Sequence, residues 1–233
     1  MTAPKDSSIP HHIAIIPDGN RRWAKQRGLE TKEGHKTGYD VLKATADEAF
    51  ARGVGYVTGF AFSTENWSRA ADEVDYLMGL VAWIVHEEAA EYHQKGIRIK
   101  ILGSNDGLNP KLVKGLADVQ DLTRNNTKGT LSLCFNYGGR RDLVEAMRRL
   151  ARKGVPPEDI DEAAISGALS TAGMPDPDLV IRTSGEERTS NYLIWESAYS
   201  ELYFTDVLWP DFDAKELDKA LADYARRKRN FGK

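Results

Sequence analysis

A chain of 233 residues with 41% hydrophobic content is long enough to bury a sizeable core in one domain. A formal net charge of −3 excludes a generally basic, nucleic-acid-binding surface, so any arginine that serves an anion must do so locally. The single cysteine, Cys134, rules out an intrachain disulfide and fits a reducing cytoplasm; within the apolar segment Leu131 to Phe135 it reads as a core thiol.

Met1 to Pro10 carries no signal-peptide apolar region, and the longest apolar stretch, near Leu77 to Val85, is too short to span a bilayer. Residues 1–11 are expected as a flexible segment and 12–233 as one domain without linkers or repeats. Ile13 to Ile16 is a β-branched apolar run, the pattern of a strand buried on both faces. It stops at Pro17-Asp18-Gly19-Asn20, and the helix formers that follow include Arg21, Arg22 and Trp23. A strand, turn and helix start with one acid and two arginines suits a phosphate or diphosphate, with Asp18 able to hold a metal ion. The plainer alternative is a surface turn in which Asp18 caps the helix.

Further strands are expected near 55–62, 97–102, 130–135 and 178–182 after the first at 12–17. Helices are expected near 36–52, 71–95, 111–124, 140–152, 161–169 and 214–229. This alternation is the signature of a mostly parallel sheet flanked by helices, an α/β fold, and it places ligands at the carboxyl ends of the strands. Polar clusters follow four of those ends: Asp18 to Arg22, Ser63 to Arg69, Asn136 to Arg140 and Arg182 to Ser190. The second presents Ser63, Thr64, Glu65, Asn66, Trp67 and Arg69, more hydrogen-bonding groups than a helix cap needs. The last surrounds Gly185 with Arg182, Arg188, Thr189 and Ser190, a loop suited to a second charged oxyanion, with a salt-bridged surface loop as the alternative. In 71–95, Val74, Leu77, Met78, Val81, Ile84 and Val85 share one side, which serves ordinary core packing or an apolar tunnel wall. The basic run Arg226 to Arg229 reads first as a solvated helix end.

With these clusters assembled, the chain resembles the cis-prenyltransferases, the undecaprenyl diphosphate synthase family, from His12 to Gly232. The matching stretches are DGNRRWA (18–24), GHK (34–36), AFSTENWSR (61–69), LTRNNT (122–127), NYGGR (136–140), DPDLVIRTSGEERTSN (176–191) and AYSELYFTDVLWPDF (198–212). The aspartate-rich DDxxD pairs of trans-prenyltransferases are missing.

The resemblance implies a cytoplasmic homodimer with an apolar tunnel enclosed by the sheet and its helices. It would condense isopentenyl diphosphate onto an allylic diphosphate with Mg²⁺ and touch a membrane surface transiently when product leaves. It also implies that Gly19, Asn20, Arg21, Arg22 and His35 line the allylic diphosphate site. Asp18 would hold the metal, with Glu201 completing it from the partner subunit. Arg182, Arg188, Thr189 and Ser190 would grip the second diphosphate, while Trp23, Ser63, Thr64, Glu65, Trp67 and Arg69 position the prenyl groups. Asn66 would orient the proton-loss step, since a neutral amide is a poor base. Asp18, at an exposed strand end, is expected to be unneeded by the core.

Several positions depart from the family pattern. Arg21 stands where glycine is common, Thr31 where many members carry arginine with Lys32 as substitute, and Asn230-Phe231-Gly232 replaces RFG. Small residues at Ala61 and Gly129 favour a medium or long polyprenyl product. The alternatives are a short-chain Z-prenyl diphosphate synthase, or a non-catalytic partner subunit, which would be expected to lose Asp18.

Overall fold

The structure, a computed structural model, describes residues 8–227 apart from the side chain of Val85. One parallel sheet of six strands organises it, in the order β3-β4-β2-β1-β5-β6. The strands are β1 His12–Ile16, β2 Tyr56–Ser63, β3 Ile97–Leu102, β4 Gly129–Tyr137, β5 Leu179–Arg182 and β6 Glu201–Phe204. The helices are α1 Asn20–Gln26, α2 Thr31–Ala51, α3 Ala71–Glu87, α4 Ala89–Lys95, α5 Pro110–Thr123, α6 Gly139–Arg152, α7 Glu162–Ala168 and α8 Ala214–Arg226.

Alternation along β1 explains why the sheet is buried on both sides. Ile13 and Ile15 join one core with Leu42 and Ala46 of α2 and Leu217 of α8, while Ala14 and Ile16 join another beneath Tyr192 and Leu193. Each buried isoleucine or leucine among them contributes about 1.5–3 kcal/mol of transfer free energy. Cys134 is fully buried in the second core, where desolvation raises its thiol pKa well above the ordinary range. That is the inert thiol expected.

Two features go beyond the expected elements, besides a sixth strand. That strand, β6, falls in Ala198 to Phe204, whose alternation suits a strand or edge, and extends the sheet beside β5, its Glu201 level with Leu179 and its Phe204 with Arg182. The helix expected over 71–95 is broken at Glu88, the side chain of which turns inward to Lys43 of α2. Helical periodicity reads straight across that break because the partner that draws Glu88 inward lies far away in sequence. At the N-terminus, Pro10 is buried and the His11 N–H donates to Asp178 Oδ2 at 2.8 Å, so the fixed part of the chain begins before the expected boundary at residue 12.

The connection leaving β1 leads to β2, whereas the one leaving β5 leads to β6 on the other side. Adjacent strands with diverging connections open a crevice at their carboxyl ends, and the polar clusters gather there. At the helix C-terminus Arg226, its side chain 77% exposed, pairs with Asp223 as a solvated helix end does, and the less exposed Arg227 pairs with Asp223 and Glu201. Lys228, Arg229 and the Asn230-Phe231-Gly232 segment lie outside the described residues.

Candidate active site

The turn after β1 is built around Gly19, where φ is +110°, a left-handed value that disfavours any side chain. A Cβ there would also press on Ser184 and Leu208. Beyond the turn Asn20 packs against α2 at Gly34 and Gly38, and its Oδ1 is buried without a hydrogen-bond partner. The Asn20 side chain therefore braces α1 against α2 rather than facing the crevice.

Register brings Arg182, the last residue of β5, level with Ile16, the last of β1. Arg182 Nη2 donates to Asp18 Oδ2 at 2.8 Å and Nη1 donates to Ser190 Oγ at 2.7 Å and to the Arg188 carbonyl. Thr183 clamps the Asp18 backbone, its hydroxyl accepting from the Asp18 N–H at 2.9 Å and donating to the Asp18 carbonyl at 2.7 Å. Arg182 is buried and its Nε has no partner. This corrects the expectation that the core has no need of Asp18, since it neutralises a buried guanidinium.

The two arginines of the turn point in opposite directions. Arg22 Nη1 donates to the Ser184 carbonyl at 3.0 Å and Nη2 approaches Glu186 at 3.4 Å, on the Arg188 side. Arg21 instead approaches Glu73 Oε2 at 3.9 Å. Glu73 also binds His35 Nε2 at 3.0 Å and accepts from Arg69 Nη1 at 2.9 Å. Burial lowers the His35 pKa despite the Glu73 carboxylate, and burial likewise opposes charge on Glu73, but His35 and the arginines hold its pKa below the usual range. Glu73 is thus the hub of three expected site residues, and sequence reasoning missed it. The available signal was the four-residue spacing from Arg69, which stands just before α3 and reaches Glu73 in its first turn.

Side-chain bonds join the four strand-end clusters. Trp67 Nε1 donates to Asn136 Oδ1 at 2.8 Å, Asn191 Nδ2 donates to Glu65 Oε1 at 2.9 Å, and the Arg140 N–H donates to Asn191 Oδ1 at 2.8 Å. Asn66 Oδ1 accepts from the Ser63 N–H at 3.0 Å, closing a capping box whose other half is the Ser63 side chain. Thr64 donates to Glu65 Oε2 at 3.2 Å, and Thr189 makes a turn through its carbonyl to Tyr192. Trp23 lies apart from this network: its Nε1 donates to Asp211 Oδ1 at 2.7 Å, and Arg27 stacks on the indole 4.4 Å from its centre.

An open groove of about 1020 Å³ lies beside the turn, walled by Arg21, Arg22, Thr31, Lys32, His35 and Glu73. Lys32 within it is ion-paired to Glu30 at 2.6 Å. Between α2, the α3–α4 pair and the sheet runs a second, apolar cavity of about 20 Å³, with Ile84 of α3 on its wall. Val74 and Leu77 of the same helix pack instead on Phe62, Leu112 and Phe135, so α3 serves both as core and as wall. Neither Ala61 nor Gly129 lines that cavity. Ala61 is an exposed residue at a β-bulge, and a Cβ on Gly129 would sit 2.8 Å from the Phe50 ring, which already fills the space.

A bound divalent ion can be tested against the donor set. Asp18 leaves Oδ1 uncommitted, and a hard cation such as Mg²⁺ is ordinarily held by one or two carboxylates plus substrate phosphates and water. The residues fit that mode. Glu201 is at the start of β6, level with Leu179 and hence with Ile13, at the end of the sheet opposite Asp18. Its carboxylate accepts from Arg227 Nη1 at 2.7 Å. Glu201 and Asp18 of one chain, at opposite ends of the sheet, do not form a joint site.

Comparison with known proteins gives concordant matches. The family model described as "Putative undecaprenyl diphosphate synthase" matches residues 16–232. An isoprenyl transferase of Neisseria meningitidis serogroup A is 48% identical over 227 residues, 97% of this chain and 91% of that one. The crystal structure of lavandulyl diphosphate synthase from Lavandula x intermedia, in complex with dimethylallyl diphosphate, superposes with a TM-score of 0.93 at 38% identity, covering 97% of this chain and 99% of that one. A probable undecaprenyl diphosphate synthase from Campylobacter jejuni superposes with a TM-score of 0.81 at 26% identity, covering 96% and 99%.

Proposed function

Since the chain belongs to the undecaprenyl diphosphate synthase family of prenyltransferases, we propose that it condenses isopentenyl diphosphate with an allylic diphosphate such as farnesyl diphosphate. In this reading it works as a cytoplasmic Mg²⁺-dependent homodimer and repeats the addition to give a medium- or long-chain polyprenyl diphosphate, an undecaprenyl-type lipid-carrier precursor. Among the described residues no helix is long and apolar enough to cross a membrane, and product release involves transient contact with a membrane surface.

One observation supports the reading: two separate groups of cationic and hydroxyl side chains gather near the turn that carries Asp18. Arg182, Ser190 and Arg188 lie on one side, and Arg21, His35 and Arg69 around Glu73 on the other. Two diphosphates need two such groups. The first takes isopentenyl diphosphate and the second the allylic substrate, which displaces the cations from Glu73. Breaking the allylic carbon–oxygen bond sends the electron pair out with the diphosphate, and preorganised guanidinium and N–H groups favour that developing charge. The alkene of isopentenyl diphosphate then attacks the allylic carbon. The resulting cation loses a proton to a diphosphate oxygen or a hydroxyl relay, with Asn66 as orienting group. Mg²⁺ at Asp18 would neutralise part of the diphosphate charge, and Glu201 would reach it from the partner subunit.

A short-chain product is the second reading, favoured by the narrowness of the apolar cavity. Retention of Asp18 speaks against a non-catalytic partner subunit. Labelled isopentenyl diphosphate with farnesyl diphosphate, with Mg²⁺ and with chelator, tests the proposal. Label should enter an apolar product with Mg²⁺ alone, and no incorporation under any condition would overturn it.

A further inference from the structure

Asn191 caps a helix to which it does not belong. Neither Gly138, the N-cap of α6, nor Gly139, its first residue, has a side chain to satisfy the free N–H groups of that terminus. Asn191 serves two of them instead. The Gly139 N–H donates to its backbone carbonyl at 2.7 Å, and the Arg140 N–H donates to its Oδ1 at 2.8 Å. Its φ is +65°, a left-handed value that asparagine and aspartate tolerate better than other residues with a side chain. Because Oδ1 is taken by a donor, the amide has one orientation, and Nδ2 faces outwards to donate to Glu65 Oε1 at 2.9 Å. The two glycines let the segments meet: a Cβ on Gly138 would lie 2.7 Å from the Thr64 hydroxyl and 2.8 Å from Asn191 Nδ2.

Glu65 belongs to the turn Thr64–Ser68, which joins β2 to α3 and carries Asn66. Among the described residues, two side-chain hydrogen bonds from distant segments hold this turn: Asn191 to Glu65, and Trp67 to Asn136. On the other side of Asn191 stands Ser190, the hydroxyl of which accepts from Arg182. One amide thus spans the loop assigned to isopentenyl diphosphate and the turn assigned to proton loss. Partial desolvation opposes charge on Glu65, but the bond from Asn191 and others within the turn hold its pKa below the usual range, so the amide meets an ionised carboxylate.

We propose that Asn191 is a positioning residue, its amide setting the Glu65–Asn66 turn against the Arg182–Ser190 loop in the one geometry that the reaction uses. The inference rests on the prenyl transfer proposed above. A displaced turn costs rate, because Asn66 no longer stands in register with the second diphosphate. It does not cost affinity for the allylic substrate, whose diphosphate belongs to the separate group around Glu73.

Asn191→Asp separates the bridge from the cap. Aspartate also tolerates the left-handed backbone, and its carboxylate still accepts from the Arg140 N–H, where negative charge suits the start of α6. Towards Glu65 it replaces a donor with a second carboxylate. Adding Glu65→Gln rebuilds a donor and an acceptor in reverse order, with the same total charge on the pair as in the wild type.

The assay uses farnesyl diphosphate with labelled isopentenyl diphosphate, and folding is followed by thermal melting. Asn191→Asp should melt near the wild type and lose at least about tenfold in kcat at an unchanged KM for farnesyl diphosphate. The double variant Asn191→Asp/Glu65→Gln should recover most of that loss, which a merely structural role for either residue would not produce. A folded Asn191→Asp with wild-type kcat overturns the proposal, as does a double variant no faster than Asn191→Asp. Glu65 lies in an exposed turn, so Glu65→Ala keeps the test decisive should Asn191→Asp not fold. It should show the same fall in kcat at constant KM, and an unchanged kcat, or a raised KM alone, would overturn the bridge. Absence of any wild-type incorporation defeats the transferase reading itself, whereas an active wild type with indifferent variants defeats only this inference.

Discussion

Asp18 and Arg182 meet at 2.8 Å across the carboxyl ends of neighbouring strands, and the partnership is unequal: the arginine side chain is 4% exposed and the carboxylate 36%. Each residue therefore matters differently when the other is lost. Asp18→Ala leaves the guanidinium buried with Ser190 and a carbonyl but without its countercharge, a cost of about 1–3 kcal/mol. The variant should melt below the wild type and lose at least about 100-fold in turnover. Asp18→Asn keeps an acceptor for Arg182 and should regain most of the melting temperature while turnover stays low. Wild-type turnover by either folded variant would exclude the metal role.

The placement of Glu201 makes a prediction about assembly. Within one chain it is bound to Arg227 at the far end of β6 from Asp18, so any shared metal site must be built between subunits. Mixing inactive Asp18→Ala and Glu201→Ala subunits should give dimers with one intact site and restore activity well above either parent. Sedimentation should show a dimer at assay concentration. A fully active monomer would refute the arrangement.

His12 links folding to pH. Its Nδ1 contacts the Pro175 carbonyl at 2.8 Å and its Nε2 the Thr58 hydroxyl at 2.7 Å. Burial lowers its pKa from 6.5 to about 4 against the raising effect of Pro175 and Asp178. The unfolded chain takes up the proton first, so this stabilisation is complete above pH 6.5 and is lost as pH falls towards 4. The total is on the order of 3 kcal/mol. Melting temperatures measured across that window should fall more steeply for the wild type than for His12→Gln. Equal slopes would assign the acid sensitivity to other groups.

Asn66 separates a structural from a chemical demand. Its Oδ1 caps the turn through the Ser63 N–H, a bond that a carboxylate would also accept. Asn66→Asp should therefore melt near the wild type yet lose at least about tenfold in kcat, because in the proposed reaction a charged oxygen would replace the orienting amide. Asn66→Ala should lower both melting temperature and kcat. An unchanged kcat in Asn66→Asp would confine the residue to capping.

Local order along the chain was enough to predict the first five strands of the parallel sheet, the turn at Asp18-Gly19 and the four polar strand ends, because strand burial, turn chemistry and helix periodicity are short-range properties. The alternation in Ala198 to Phe204 likewise suits a strand or edge, which is where β6 lies, but the pattern could not find the break at Glu88, where the side chain meets Lys43 of a distant helix. Glu73 as a hub, the Asp18–Arg182 pair and the turning of Asn20 towards α2 depend on contacts between residues distant in sequence. The placing of Ala61 and Gly129 along an apolar cavity misses for the same reason: side-chain size is visible in a sequence, but Phe50 occupying the room beside Gly129 is not. Residue type and spacing determined the fold class and which groups could serve two diphosphates. Tertiary packing alone decided which of them face the groove and which neutralise one another.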